Sequence, residues 1–272
     1  MTTTAAQPAW AERLTGIDLT ELVDRAPLMT RVDRKYLIDA ACLPPIVDAL
    51  AADPDSRTRV LEIEGRRTFS YRSSYLDTPR LTTWYAAARG RRRRFKARVR
   101  DYCDTGQRWL EVKTRGPRGT SVKRRIAVVG QQERLGPEQT RFVAEVLATE
   151  RIDPALADEL QPSLVTTYRR TTLHHHDAVR ECRITLDSDL GFTSPAGVTR
   201  SAPGLVVVEV KAGPSPMPVE HLLWRHGHRP ITTSKYGVGM VWTHPELPAL
   251  KWRRALARHR CAATPTSQGA PS

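Results

Sequence analysis

Basic and apolar residues alternate strictly between Arg94 and Arg100. In a β-strand, side chains two residues apart lie on the same face, about 7 Å from each other. One face of this strand would therefore carry a row of four cations: Arg94, Lys96, Arg98 and Arg100. Like charges in line repel one another, and a strand tolerates such a row best where a strongly anionic ligand lies along it. The stretch predicts a surface that binds polyanionic phosphate.

A second alternating stretch, from Trp109 to Lys113, follows a turn-rich segment that contains Asp104 and Gly106. Two such stretches around a short turn predict a β-hairpin. The hairpin would place Glu111 and Lys113 together on one face. Acidic residues among cations suit a metal site better than a surface for nucleic acid, because carboxylate oxygens are the ligands that Mg²⁺ prefers.

The composition also indicates an anionic partner. Lys and Arg number 43 against 29 Asp and Glu, a net charge of +14 over 272 residues, although a generally basic protein would share this surplus. The four cysteines are scattered and form no CxxC pair, which predicts neither a zinc site nor disulfides and favours the reducing cytoplasm. With no signal-like N-terminus and no apolar run of about 18 residues, we expect no membrane span.

Alternation and helical periodicity divide the chain into about eight strands and several helices. We expect a loose segment at 1–16, one domain at 17–244 and a basic, disordered tail at 245–272. Several strands carry Arg and Lys on one face and aliphatic residues on the other. The prediction is an α+β fold, in which an eight-stranded antiparallel barrel has a cationic interior and its aliphatic outer faces pack on helices at 43–50, 137–152 and 219–226.

Nine short motifs between residues 18 and 243 carry a resemblance to a known family. They are Asp33-Arg34-Lys35-Tyr36, Tyr75-Leu76-Asp77-Thr78, Arg98-Val99-Arg100-Asp101-Tyr102, Leu110-Glu111-Val112-Lys113, Ser121-Val122-Lys123, Tyr168-Arg169-Arg170-Thr171, Arg183-Ile184-Thr185-Leu186-Asp187, Val208-Glu209-Val210-Lys211 and Ser234-Lys235-Tyr236. In this order they resemble the VTC domain, the polyphosphate polymerase domain of the vacuolar transporter chaperone complex. That domain belongs to the triphosphate tunnel metalloenzymes, with the CYTH proteins, and this chain resembles its stand-alone bacterial members.

The resemblance implies an eight-stranded tunnel that binds ATP and polyphosphate with Mn²⁺ or Mg²⁺ and transfers the γ-phosphate of ATP to a growing chain. The residues implied to act in catalysis are Lys35, Arg98, Arg100, Lys113, Arg183 and Lys235. Those implied to bind further phosphates are Lys123, Arg170, Lys211 and Lys96. The metal ligands implied are Glu209, Glu111 and Asp33, with Glu181 as a further candidate, and Asp33 departs from the glutamate common in the family.

Other functions remain open at this point. If water attacks instead of a phosphate chain, the same site is a hydrolase of triphosphate or nucleoside triphosphates. A non-catalytic module that binds polyphosphate or RNA is a third possibility, but nucleic acid is disfavoured because Phe95 lies opposite the basic row and not within it. Tyr36, Tyr75 and Tyr168 are expected to pack or to form hydrogen bonds. His174–His176 are expected in a solvated loop, and Arg91–Arg93 at the rim of the site.

Overall fold

The computed structural model describes residues 7–25, 32–115, 121–130, 134–258 and 262–263. The sequence predicts a first strand from Met29 to Asp39, and residues 29–31 of it lie outside this part of the chain. The fold is α+β, with a large and mainly antiparallel sheet. The chain forms two compact units: unit 1 comprises residues 1–69, 169–189 and 204–231, and unit 2 comprises residues 70–168, 190–203 and 232–272.

Helices and strands alternate irregularly along the chain. The α-helices are α1 (Ala9–Glu12), α2 (Leu19–Arg25), α3 (Leu43–Ala52), α4 (Thr82–Ala88), α5 (Pro137–Thr149), α6 (Pro218–Arg225), α7 (Lys235–Thr243) and α8 (Arg253–Arg258). The strands are β1 (Thr15–Ile17), β2 (Val32–Asp39), β3 (Ser56–Leu61), β4 (Thr68–Asp77), β5 (Phe95–Tyr102), β6 (Gln107–Arg115), β7 (Ser121–Ala127), β8 (Gln161–Asp177), β9 (Glu181–Thr193), β10 (Thr199–Ala202), β11 (Leu205–Ala212) and β12 (Ala262–Ala263). Short 3₁₀ turns lie at Ala40–Cys42, Pro154–Ala157 and Leu250–Trp252. None of the helices among the described residues is long and apolar enough to cross a membrane.

Unit 1 is organised around β11, which pairs antiparallel with β2 on one side and with β9 on the other. Val206, Val208 and Val210 are buried in a core that also contains side chains of α3 and α6. Successive residues of a strand point to opposite faces, so Glu209 and Lys211 face away from this core. The alternation of apolar and charged residues at 208–211 therefore predicted the polar face of this strand.

Unit 2 contains an antiparallel meander of β5, β6 and β7. Phe95, Ala97 and Val99 are buried beside Val143 and Leu147 of α5. The expected hairpin between residues 94 and 113 is confirmed, and so is its apolar face. Burial of this face against a helix fixes the register, because a slip of one residue would turn every cation towards the core.

The sheet has more strands than expected and an open backbone ladder. Among the described residues, β7 pairs with β6 and β2 pairs with β11, and no hydrogen-bonded ladder closes the sheet. Backbone pairing therefore does not form the eight-stranded barrel that the sequence analysis predicted. The short strands β1, β10 and β12 add to the count; β1 pairs with β3 in parallel.

The prediction of a solvated loop at His174–His176 is wrong. These residues lie inside β8, whose residues 173–177 pair with β3. His174 and His175 are fully buried. His174 contacts Glu181 at 3.0 Å and His175 contacts Thr58 at 2.9 Å. Local polarity suggested a loop, whereas pairing with a strand more than a hundred residues earlier determines the structure.

The packed part of the chain extends beyond residues 17–244 at both ends. In the segment expected to be loose, α1 buries Trp10 and Ala11 in the core of unit 1. In the segment expected to be a disordered tail, Trp252 is buried with its ring 5.4 Å from that of Trp84. A buried tryptophan removes a large apolar surface from water, which is enough to hold a short terminal helix in place.

Helix α7 packs closely because it contains two glycines. A Cβ atom on Gly237 would lie 2.2 Å from the Trp252 ring, and one on Gly239 would lie 2.4 Å from Phe192. Real Cβ contacts are not that short. The two glycines therefore allow α7 to pack directly against Trp252 on one side and Phe192 on the other.

We expect Gly237→Ala to destabilise the protein by about 1–3 kcal/mol, because the added methyl must displace a buried indole in a dense core. Chemical denaturation followed by tryptophan fluorescence measures this change. Gly213→Ala is the matched control, since nothing lies within 4 Å of its added Cβ. Equal stability of the two variants would contradict the close packing of α7.

Candidate phosphate-binding and metal site

Glu209 is the centre of the polar face in unit 1. The register places Lys35 opposite Glu209 and Asp33 opposite Lys211. Lys35 Nζ donates to Glu209 Oε1 at 2.9 Å, and Lys211 Nζ donates to the same oxygen at 2.5 Å. Lys211 Nζ also lies 3.5 Å from Asp33 Oδ2. Two carboxylates and two ammonium groups thus form one cluster, which we call the Glu209 cluster.

The two lysines determine the ionisation of Glu209. Burial alone would raise the pKa of Glu209, but Lys35 and Lys211 outweigh burial and hold that pKa well below its usual range. For Lys211 burial is the larger effect and lowers the pKa, although Glu209 and Asp33 oppose it. Glu209 is therefore a stable anion whose oxygens can accept hydrogen bonds or bind a hard cation.

Two arginines complete the polar face of unit 1. Arg183 lies opposite Lys211 in the β11–β9 ladder. Arg170 makes a bidentate contact with Asp187, Nε to Oδ1 at 2.6 Å and Nη2 to Oδ2 at 2.9 Å. Asp187 is buried and was not among the predicted site residues. Its place at the end of the alternating motif Arg183–Asp187 was the signal that it shares the face of Arg183.

Neighbouring residues of β2 face the other side of the sheet. The Tyr36 hydroxyl donates to Glu220 Oε1 at 2.8 Å, and Arg34 donates to Glu220 Oε2 at 3.1 Å. Glu220 is buried, and burial together with this carboxylate raises the pKa of Tyr36. Tyr36 therefore has the hydrogen-bonding role that the sequence analysis expected.

Glu111 is the centre of the polar face in unit 2. Its side chain is 2 % exposed and contacts three cations. Arg98 donates to Oε2 at 2.6 and 2.8 Å, and Lys123 donates to Oε1 at 3.1 Å. Arg100 lies 3.7 Å from Oε2 and is itself buried. We call this set the Glu111 cluster; it keeps a surplus of positive charge.

The same cations determine the ionisation of Glu111. Burial would raise its pKa, but Arg98, Arg100 and Lys123 outweigh burial and hold the pKa far below its usual range. Glu111 thus acts as a permanent counter-ion that holds the arginines in place. It remains a candidate metal ligand only if a metal and phosphate displace some of these contacts.

Two further lysines, Lys96 and Lys113, lie in line with Lys123 of the Glu111 cluster. The register aligns Lys96 with Lys113 and Lys113 with Lys123 across β5, β6 and β7. Lys96 Nζ donates to Ser234 Oγ at 3.0 Å. Lys235 Nζ lies 4.3 Å from the centroid of the Tyr168 ring, a cation–π distance. The predicted cations of unit 2 are thus gathered on or beside one face.

Asp77 fixes the start of α7, where Ser234 and Lys235 lie. This fully buried carboxylate accepts hydrogen bonds from the backbone and hydroxyl of Thr83 and from the backbone of Trp84. It also accepts the Tyr236 hydroxyl at 2.6 Å. Burial and Asp77 raise the pKa of Tyr236 well above its usual value. Asp77 lies in one of the nine sequence motifs, but the pattern alone predicted no role for it.

No group of three or more His, Cys, Asp or Glu side chains suited to a metal occurs among the described residues. Glu209 and Asp33 nevertheless provide hard oxygen donors within reach of one ammonium group. Magnesium is commonly held by one or two carboxylates, with water and substrate phosphates as its other ligands. The donors of the Glu209 cluster fit such an ion, whereas Glu181 contacts His174 and lies outside the cluster.

We expect Glu111→Gln to lower the free energy of unfolding by about 3 kcal/mol at pH 7, because it leaves buried arginines without their anion. The folded pKa of Glu111 is depressed, so its stabilisation is present above the unfolded pKa of about 4.3 and is lost as the pH falls below it. Denaturant titrations between pH 7 and pH 3 should show the difference from wild type shrinking. Glu159→Gln is the exposed control, and a similar loss in both variants would contradict this role.

Several solved structures are similar to this chain at low sequence identity. A proposed adenylate cyclase from Bacillus halodurans is 11 % identical, with a TM-score of 0.38 and 89 % of this chain and 97 % of that chain covered. A proposed adenylyl cyclase from Hippeastrum, described as having a dominant triphosphatase activity, is 14 % identical, with a TM-score of 0.45 and 82 % and 99 % coverage. A protein from Pyrococcus horikoshii is 12 % identical, with a TM-score of 0.38 and 76 % and 97 % coverage.

These likenesses are weak, and no curated protein matches the sequence. The family comparison is stronger and does not depend on them. The model of the VTC domain matches residues 30–244, a range that contains every residue of the two clusters described above. The chain therefore belongs to the VTC domain family.

Proposed function

We propose that this protein is a metal-dependent polyphosphate polymerase, which transfers the γ-phosphate of ATP to the end of a growing polyphosphate chain. The observation that carries the proposal is the Glu111 cluster. Two arginines and a lysine there share a single buried carboxylate, with further lysines aligned beside them. Phosphate oxygens would supply the negative charge that this face lacks.

The types of cation suit phosphoryl groups. The planar guanidinium groups of Arg98 and Arg100 can contact two phosphate oxygens at once, whereas lysines act as point charges. In phosphoryl transfer the protein mainly positions the reactants and stabilises developing charge. Arg98, Arg100 and Lys235 would hold the transferred group in this proposal, with Lys96, Lys113 and Lys123 along the neighbouring phosphates.

Lys35, Lys211, Arg183 and Arg170 have corresponding roles on the face of unit 1. Arg170 is already held rigidly by Asp187, so it can contact a phosphate without first losing side-chain freedom. Glu209 and Asp33 would hold Mn²⁺ or Mg²⁺ through their carboxylate oxygens. When bound, such an ion neutralises phosphate charge and makes the phosphorus more electrophilic.

The reaction forms one bond and breaks one. A terminal oxygen of the polyphosphate chain attacks the γ-phosphorus of ATP in line, and the bond from the γ-phosphorus to the β–γ bridging oxygen breaks. That oxygen leaves on ADP, and the chain is longer by one phosphate. The guanidinium groups of Arg98 and Arg100 stabilise the charge that develops on the transferred oxygens.

Incubation of the purified protein with ATP and Mn²⁺ tests the proposal directly. Products are separated by gel electrophoresis, and free phosphate and ADP are measured in parallel. We expect long phosphate chains, together with one ADP for each phosphate incorporated into them. Free phosphate without chains would instead identify a triphosphatase, and polyphosphate binding without either product would leave a non-catalytic module.

Glu209→Gln should abolish metal-dependent turnover, with a loss of at least about a hundredfold, because it removes the charged oxygen donor from the proposed metal site. It should also weaken Mn²⁺ binding measured by electron paramagnetic resonance in the presence of tripolyphosphate, while polyphosphate binding without metal persists. Glu181→Gln is the matched control, because it removes a carboxylate of the same unit that contacts His174 instead. Unchanged Mn²⁺ affinity in Glu209→Gln would exclude Glu209 as the ligand.

A further inference from the structure

The cationic face of unit 2 continues beyond the proposed site. The β5–β6 ladder begins with Phe95 opposite Thr114. Arg115 is the last residue of β6 and shares the face of Lys113, and Arg94 immediately precedes β5. Continuation of the strand by one residue would place Arg94 on the face of Lys96, one step of about 7 Å further from Arg98.

Lys251 joins these two arginines from the C-terminal segment. Its neighbour Trp252 is buried against Trp84, which anchors the segment to the unit. Lys251 Nζ donates to the carbonyl of Ala87 at the end of α4. Arg94 similarly donates to the carbonyl of Arg91. The backbone N–H of Arg91 donates to the Ala86 carbonyl at 2.9 Å, so the carbonyls that hold Arg94 and Lys251 belong to the same turn at the end of α4. We call Arg94, Arg115 and Lys251 the outer cation group.

The outer cation group differs from the two clusters because it contains no carboxylate. Among the described residues, none of its members has an acidic side chain within ion-pair distance. Burial and then Arg115 lower the pKa of Arg94, and burial followed by Arg94 and Arg115 lowers the pKa of Lys251. Like charges opposite one another on a ladder are destabilising. Within the described part of the chain, Arg94 and Lys251 are held by backbone carbonyls and not by a carboxylate.

We propose that Arg94, Arg115 and Lys251 form a second anion site, which binds a stretch of polyphosphate beyond the phosphates held at the Glu111 cluster. The identity of the ligand rests on the proposed function. The row of cations from Arg98 to Arg94 spans about 13 Å. A single linear chain of phosphates can lie along the whole row. The site would make the protein bind long chains in preference to a triphosphate.

Polyphosphate fits this surface better than single-stranded nucleic acid does. Proteins that bind single strands combine cations with aromatic rings on which bases stack. The aromatic residue next to Lys251 is Trp252, which is 1 % exposed and cannot offer a face to a base. The outer cation group therefore provides charge without a stacking platform.

The test compares the affinities of wild type and the triple variant Arg94→Gln/Arg115→Gln/Lys251→Gln for two probes, long-chain polyphosphate and tripolyphosphate. We expect the triple variant to bind long chains roughly tenfold more weakly and to show a smaller salt dependence, with its affinity for tripolyphosphate unchanged. Its melting temperature should be equal to or above that of wild type, because the substitutions relieve like-charge repulsion. The matched control, Arg80→Gln/Arg134→Gln/Arg141→Gln, removes the same charge from exposed positions of unit 2 and should retain long-chain affinity.

Unchanged long-chain affinity in the triple variant would overturn the proposal, as would an equal loss in the control. Equal weakening for single-stranded RNA of the same length would identify a general nucleic-acid surface and would also overturn it. Turnover of ATP by wild type, measured on the same preparation, tests the proposed function separately. The two proposals can fail separately. If wild type makes no polyphosphate but the triple variant binds long chains less selectively than wild type does, the polymerase is contradicted and the second anion site is supported.

Discussion

Neutralisation of like charges by buried carboxylates is the constraint on which the polar faces of this fold depend. Arg98, Arg100 and Lys123 converge on Glu111, and Lys35 and Lys211 converge on Glu209. Without an anion, cations on neighbouring strands would repel one another and open the ladder. A buried ion pair offsets its desolvation only when the geometry is good, and the short contacts at both clusters meet that requirement.

The carboxylates also prepare the cations for a ligand. An arginine held by Glu111 or Asp187 has already lost its side-chain freedom, so contact with phosphate costs less entropy. The Glu111 cluster stops short of neutrality, because three cations share its one carboxylate. The outer cation group contains no carboxylate among the described residues and donates to backbone carbonyls instead. The charge surplus therefore increases along β5 and β6 away from Glu111, in the direction in which we expect a chain to extend.

Local sequence patterns predicted which face of a strand a residue occupies better than they predicted which side chains it contacts. Alternation alone placed Phe95, Ala97 and Val99 in the core and Glu209 with Lys211 on the polar face, because the period of a strand is fixed by backbone geometry. His174–His176 were misjudged because their burial comes from β3, which is distant in sequence. The pairing of Arg170 with Asp187 was missed for a related reason: a sequence pattern shows which face a residue occupies but not which neighbour it contacts.

The position of Lys235 illustrates why the site depends on core packing. Lys235 is the first residue of α7. The Ser234 hydroxyl oxygen accepts hydrogen bonds from the backbone N–H of Gly237 and from Lys96 Nζ. The helix itself is fixed by the Tyr236–Asp77 hydrogen bond and by the close contacts of its glycines with Trp252 and Phe192. A change in any of these buried contacts would shift the cation relative to the neighbouring lysines. Residues that would never touch phosphate therefore set the geometry with which the protein can bind it.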